Sequence, residues 1–176
     1  SSTMEAFLTD FADSAGIKPG DPIELDFGDV LRRYLERTRR ITLKNPDDTK
    51  THIMIPLKDM EPSTVAMYRD AEKALADIDM SSLPISPIDA IRYEIQKAGY
   101  SVREITGRDN LVDYSTTPPT YAQRAKGEQG SSGKRVTIKQ FNDGALDAVI
   151  LNKSGSTGVS MHAKDTYKDR RRRRMI

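Results

Sequence analysis

Four apolar residues in a row, Ala148-Val149-Ile150-Leu151, run straight into Asn152-Lys153-Ser154-Gly155-Ser156-Thr157-Gly158, a turn dense in glycine and hydroxyls. A continuous apolar run this short predicts a strand, and helices alternating with such strands point to a mostly parallel sheet. The turn then falls at the strand's carboxyl end, where open parallel sheets collect their ligands. Glycine lets backbone N–H groups approach an anion, and Ser and Thr hydroxyls add donors for phosphate oxygens. The pattern is not a Walker A loop, because Lys153 precedes the glycines and no Gly-Lys-Ser/Thr occurs in the chain.

The rest of the chain supplies the helices such a strand needs. Residues 4–12 carry Phe7, Leu8 and Phe11 at helical spacing, and Gly16, Pro19, Gly20, Asp21 and Pro22 break the pattern. Residues 29–40 resume it, with Val30, Leu31, Tyr34 and Leu35 on one face and five Arg on the other. That face reads as solvated charge or as a basic helix beside a phosphate backbone. Asn45-Pro46-Asp47-Asp48 predicts a turn and 51–57 a β-branched strand; 63–78 and 88–98 predict helices, the second closed by Gly99. A short strand over 100–105, a helix over about 134–142 and a strand over 146–151 follow, with Met175-Ile176 resembling the start of another. Residues 109–133, with Thr116-Thr117-Pro118-Pro119-Thr120 and Gly127 to Gly133, have no apolar period and predict a mobile insert. The expected fold is α/β with a mostly parallel sheet flanked by helices. Residues 1–44 would form a helical connector and 45–176 the main domain.

Charge is uneven. Lys and Arg number 28 against 26 Asp and Glu, yet the balance is −6 over residues 1–30, +4 over 31–60, −4 over 61–118 and +8 over 119–176. Attraction to polyanions therefore belongs to the C-terminal third and not to the whole surface; the run Arg170 to Arg174 reads as solvated charge screened by Asp165 and Asp169, with direct phosphate contact the second reading. With 0 Cys, a disulfide scaffold, thiolate zinc and a cysteine nucleophile are excluded. His52 and His162 lack paired ligand spacing, so no metal site is expected. No apolar stretch is long enough to cross a bilayer, and no membrane partner is expected. Tyr114 and Tyr121 read as surface loop residues, with base stacking the lesser possibility.

Taken over a longer window, the order of these pieces is similar to a known family. Leu25-Asp26-Phe27-Gly28-Asp29-Val30-Leu31, Tyr34-Leu35-Glu36-Arg37, Leu83-Pro84-Ile85-Ser86-Pro87-Ile88-Asp89 and Ile105-Thr106-Gly107-Arg108 precede a helix led by Arg135 and ending in Phe141-Asn142. The strand and Gly/Ser turn then match motif V. Together they resemble the second RecA-like lobe of superfamily-two, Swi/Snf-related helicases of the strawberry-notch-like type, over about residues 22–176 with the insert unmatched.

What the resemblance implies is a lobe of an ATP-driven helicase or translocase on nucleic acid, DNA in preference to RNA. The parent would be cytoplasmic and encoded by a bacterium, phage or mobile element. By position, Asn152, Ser154 and Gly155 would face nucleic-acid phosphates, together with Thr106, Gly107 and Arg108. Gly158 and Ser160 would lie on the nucleotide side, although Ser160 stands where many such motors carry Asn or Asp. The intact parent would use ATP and Mg²⁺, whereas no cofactor is expected bound to this chain alone. It has no Walker A loop, no acidic Walker B motif and no motif VI arginine pattern, so no residue is assigned a catalytic role and no ATPase activity is expected in isolation. It reads as a fragment lacking the first motor lobe, with self-association through the exposed lobe face a further expectation. The second reading is a non-catalytic nucleic-acid-binding or protein-interaction module that keeps the lobe fold.

Overall fold

A computed structural model describes residues 2–152, 158, 159, 161 and 165–175, with residues 2–7 through their backbone alone. The chain divides into two units, Ser1–Glu24 with Ser86–Ile176, and Leu25–Ile85. The boundaries therefore fall at 24/25 and 85/86, and residue 44 lies inside the second unit.

The first unit holds five of the elements that matter for a site. Helix α1 (Ser2–Ala15) buries Leu8, Phe11 and Ala12 and ends at Gly16, whose φ of 68° turns the chain so that Ile17 N–H reaches Ala12 C=O at 2.8 Å. Helix α4 (Pro87–Lys97) starts on a proline, where the missing N–H costs nothing, and stops at Gly99 with φ 85°. Strand β3 (Val102–Ile105) follows, and helix α5 (Gly130–Asn142) leads into strand β6 (Ala148–Leu151). The two strands pair in parallel, and α4 and α5 both pack against β3.

The segment expected as a mobile insert is folded. Strands β4 (Asn110–Asp113) and β5 (Thr120–Gln123) form an antiparallel hairpin in which Val112 and Tyr121 are buried. Its outer edge is taken up by the chain after α1: Gly20 N–H donates to Tyr121 C=O at 2.6 Å, Tyr121 N–H to Asp21 C=O at 2.9 Å, and Ile23 N–H to Pro119 C=O at 2.7 Å. Tyr114 accepts the Ser86 N–H on its hydroxyl at 3.1 Å. The hairpin escapes a periodicity reading because each strand has only two apolar residues, and long-range edge pairing supplies the rest.

The second unit carries helix α2 (Phe27–Arg37), strands β1 (Arg40–Lys44) and β2 (Lys50–Met54), and helix α3 (Pro62–Asp77). Asp26 and Asp29 close a capping box on α2, each carboxylate accepting the other's backbone N–H at 2.9 and 3.1 Å. The helix ends earlier than expected, and Arg40 instead begins an antiparallel ribbon turned at Asn45 to Thr49. Val30 and Tyr68 are buried where α2 and α3 pack, and the Arg39 guanidinium lies 5.0 Å from the Tyr68 ring.

The chain is thus mixed α/β. Among the described residues the sheets are three two-stranded pairs, of which only β3–β6 is parallel, so the sheet is not mostly parallel. Met175, expected to open a strand, is exposed and lies outside every strand.

Candidate functional site

Register places the exits of β3 and β6 together. Val102 stands opposite Ala148 and Ile105 opposite Leu151, so Thr106 and Asn152 leave the parallel pair side by side at its carboxyl edge. The amino edge is tied separately. Asp147 accepts the N–H and the hydroxyl of Ser101 at 2.9 and 2.8 Å, and Arg171 donates to its other oxygen at 2.8 Å. These bonds, the Arg171 contact first, hold the Asp147 carboxyl down to about 2.

Beneath the first turn lies a buried ion cluster. Arg108 donates from Nε and Nη2 to the two oxygens of Glu104, at 2.6 Å each, and from Nη1 to Asp89 Oδ2 at 2.7 Å, with a further bond from Nη2 to Asp89 Oδ1. The Arg108 side chain is 4% exposed and those of Asp89 and Glu104 2% and 0%. Asp89 also accepts the Ser86 hydroxyl at 2.6 Å and the Val112 N–H at 2.8 Å, which ties α4 to β4. Arg124 spans the same space with main-chain bonds to Arg108 C=O at 2.7 Å and Glu104 C=O at 2.9 Å. Glu128 closes the outer side through Arg92 at 3.1 Å.

The charges match their burial. Burial alone would push the Glu104 carboxyl up, but hydrogen bonds and charge from Arg108, with Thr106 and Arg124, outweigh it and hold the group below its usual range. Burial opposes the charged form of Arg108 as well, and the bonds to Glu104 and Asp89 raise its affinity for the proton nonetheless.

The residues expected at a nucleic-acid backbone are separated by this arrangement. Gly107 is exposed, with no atom within 4 Å of where a Cβ would sit. Thr106 is half-buried, its hydroxyl donating to Glu104 Oε1. Arg108 is turned inward, and a phosphate could reach it only by displacing a carboxylate. Asn152 is half-buried at the end of β6. Ser154, Gly155 and Ser160 lie outside the described residues, while Gly158 is exposed with φ 70° and open space around its Cα.

These residues do not by themselves fit ATP with Mg²⁺. Among the described residues no cluster of carboxylates or imidazoles could hold a cation, and Asp89 and Glu104 are consumed by guanidinium groups. No hydrolytic step is assigned to this chain. No family model, curated protein or solved structure matches it.

Several residues that build this region carry little signal in the sequence. Glu104 was detectable in principle, since alternation in β3 puts it on the face of buried Val102. Asp89 stood out only as the last residue of the motif at 83–89, and Arg124 and Glu128, drawn in beside Glu104 and Arg92, carried no signal. Arg173 belongs to the same class. Rather than being solvated, its Nη1 donates to Asn142 Oδ1 and to Met161 C=O, both at 2.7 Å, and its guanidinium lies 4.6 Å from the Phe141 ring. Asp169 does screen the run, pairing with Arg171 at 3.1 Å.

Proposed function

We propose that this chain is the second motor lobe of an ATP-dependent nucleic-acid helicase or translocase of the strawberry-notch-like type, acting on DNA in preference to RNA. The observation that carries the reading is the register pairing Ile105 with Leu151. It brings the exits of two strands distant in sequence, Thr106 with the open Gly107 after one and Asn152 after the other, to one carboxyl edge of a helix-flanked parallel pair. That is the geometry in which backbone N–H groups at strand ends meet phosphates. Thr106, Gly107, Asn152, Ser154 and Gly155 would follow the nucleic-acid backbone, and Gly158 and Ser160 would face nucleotide held mainly by a first lobe. Exposed apolar side chains such as Ile91 and Val136 on the first unit leave surface that a first lobe would cover.

The test is binding of a labelled oligonucleotide by the chain with Gly107→Ala or Asn152→Ala in place. Both should weaken binding several-fold without loss of fold. Full retention of affinity in both refutes the assignment of this edge.

A second reading, a non-catalytic nucleic-acid-binding module, is favoured by one observation: Arg108 is locked between two carboxylates instead of facing outward. Nucleic-acid affinity that responds to Asn152→Ala but is the same with and without ATP in a longer parent chain that supplies the first lobe supports it.

A further inference from the structure

We propose that the basic face of the β1–β2 ribbon seats on the phosphate backbone of duplex DNA. Residues opposite each other in an antiparallel pair share a face, and so do alternate residues along each strand. The register Arg40↔Met54, Thr42↔His52 and Lys44↔Lys50 therefore gathers three cations, a hydroxyl and an imidazole on one side. The Thr42 hydroxyl and His52 Nδ1 lie 2.9 Å apart on that side. Neither strand contains an acidic residue. The acids of the turn are Asp47 and Asp48; Asp47 is occupied by Thr49, and Asp48 meets Lys44 at 2.6 Å with both side chains largely in water. An exposed pair of that kind yields readily to a competing phosphate.

The opposite face is Ile41, Leu43, Thr51 and Ile53, so every charge of the two strands lies on one side, with Met54 the one apolar residue among them. Every residue of β2 and all of β1 after Arg40 are exposed, and the ribbon projects with both faces open. Its dimensions suit the occupant. A two-stranded ribbon is what a major groove admits, and Arg40 and Lys44 stand about 13 Å apart along the strand, about four nucleotide steps of a duplex. The stretch 31–60 carries +4 between neighbours of −6 and −4, a local positive excess to which the ribbon contributes Arg40, Lys44 and Lys50. The choice of DNA among polyanions rests on the motor-lobe reading; the existence of a polyanion face does not.

The experiment is fluorescence anisotropy of a labelled 30-base-pair duplex over a salt series. It compares the unaltered chain, the ribbon variant R40A/K44A/K50A, the equal-charge control R170A/R172A/R174A, and Asn152→Ala. Circular dichroism melts verify that each variant folds. The ribbon variant should bind about tenfold or more weakly at moderate salt, with its log–log salt slope shallower by about two to three, since each phosphate contact contributes about 0.9. The control should change less. A ribbon variant that binds like the unaltered chain overturns the inference. If Asn152→Ala weakens binding in that same case, the motor-lobe reading survives it. Loss in the ribbon variant alone upholds the inference and removes support from the sheet-edge site. No duplex binding by the unaltered chain, or displacement of DNA by polyglutamate at equal charge, overturns the assignment to DNA.

Discussion

Arg108 and Asp89, 19 residues apart, meet through two hydrogen bonds that close the turn after β3 onto the first turn of α4. The fork geometry of the guanidinium is what allows one side chain to serve Asp89 and Glu104 together. Arg108→Ala would strand two buried carboxylates, and urea unfolding should show a loss of about 3–5 kcal/mol. Arg108→Lys keeps the charge without the fork, and should recover only part of it. A change under 1 kcal/mol for the alanine variant would contradict the clamp.

Acid should act through the same cluster. The Glu104 carboxyl sits below its unfolded value, so its contribution is complete above about pH 4.5 and is lost as pH falls toward the folded value. Asp147 behaves alike at the amino edge, its contribution complete above about 3.8 and lost on approach to about 2. Asp147→Asn should flatten the stability curve across that lower window. Arg171→Ala should return the Asp147 carboxyl toward its ordinary range in a carbon-13 NMR titration. An unmoved titration would mean that Arg171 does not hold it.

Two glycines should respond in opposite ways. A Cβ on Gly133 would lie 2.5 Å from the Glu128 carbonyl carbon, where α5 rests on the short 3-10 turn Lys126–Glu128. Gly133→Ala should cost about 1–3 kcal/mol, because backbone rather than a flexible side chain must move. Gly107→Ala meets open space and should change stability by no more than about 0.5 kcal/mol. Thermal melts of the pair check both, and the second variant then reports on binding alone.

The isolated chain should release no phosphate from ATP above a protein-free blank, with or without DNA. The described residues offer no cation-holding cluster, and the nearest carboxylates are neutralised by arginine. Steady turnover would refute the reading of this chain as one side of a nucleotide cleft.

Local signals were legible wherever one element decides its own fate. Pro62 and Pro87 start α3 and α4, Gly99 ends α4, and the apolar run at 148–151 is β6 within two residues of its expected start. Each follows from fixed φ, a missing N–H or a short-range apolar pattern, which a chain carries without its neighbours. The hairpin of β4 and β5 was not legible, because Asn-Leu-Val-Asp and Thr-Tyr-Ala-Gln acquire strand character only by pairing with each other and with residues 20–23. The inward turn of Arg108 and the docking of Arg173 on Phe141 have the same origin. An arginine reads as surface until three-dimensional packing brings carboxylates or a ring close enough to repay its lost water. Tertiary structure therefore decided which charges are structural and which still face solvent. The amino-acid order by itself determined the helices and the parallel strand, since those depend on backbone geometry and periodicity alone.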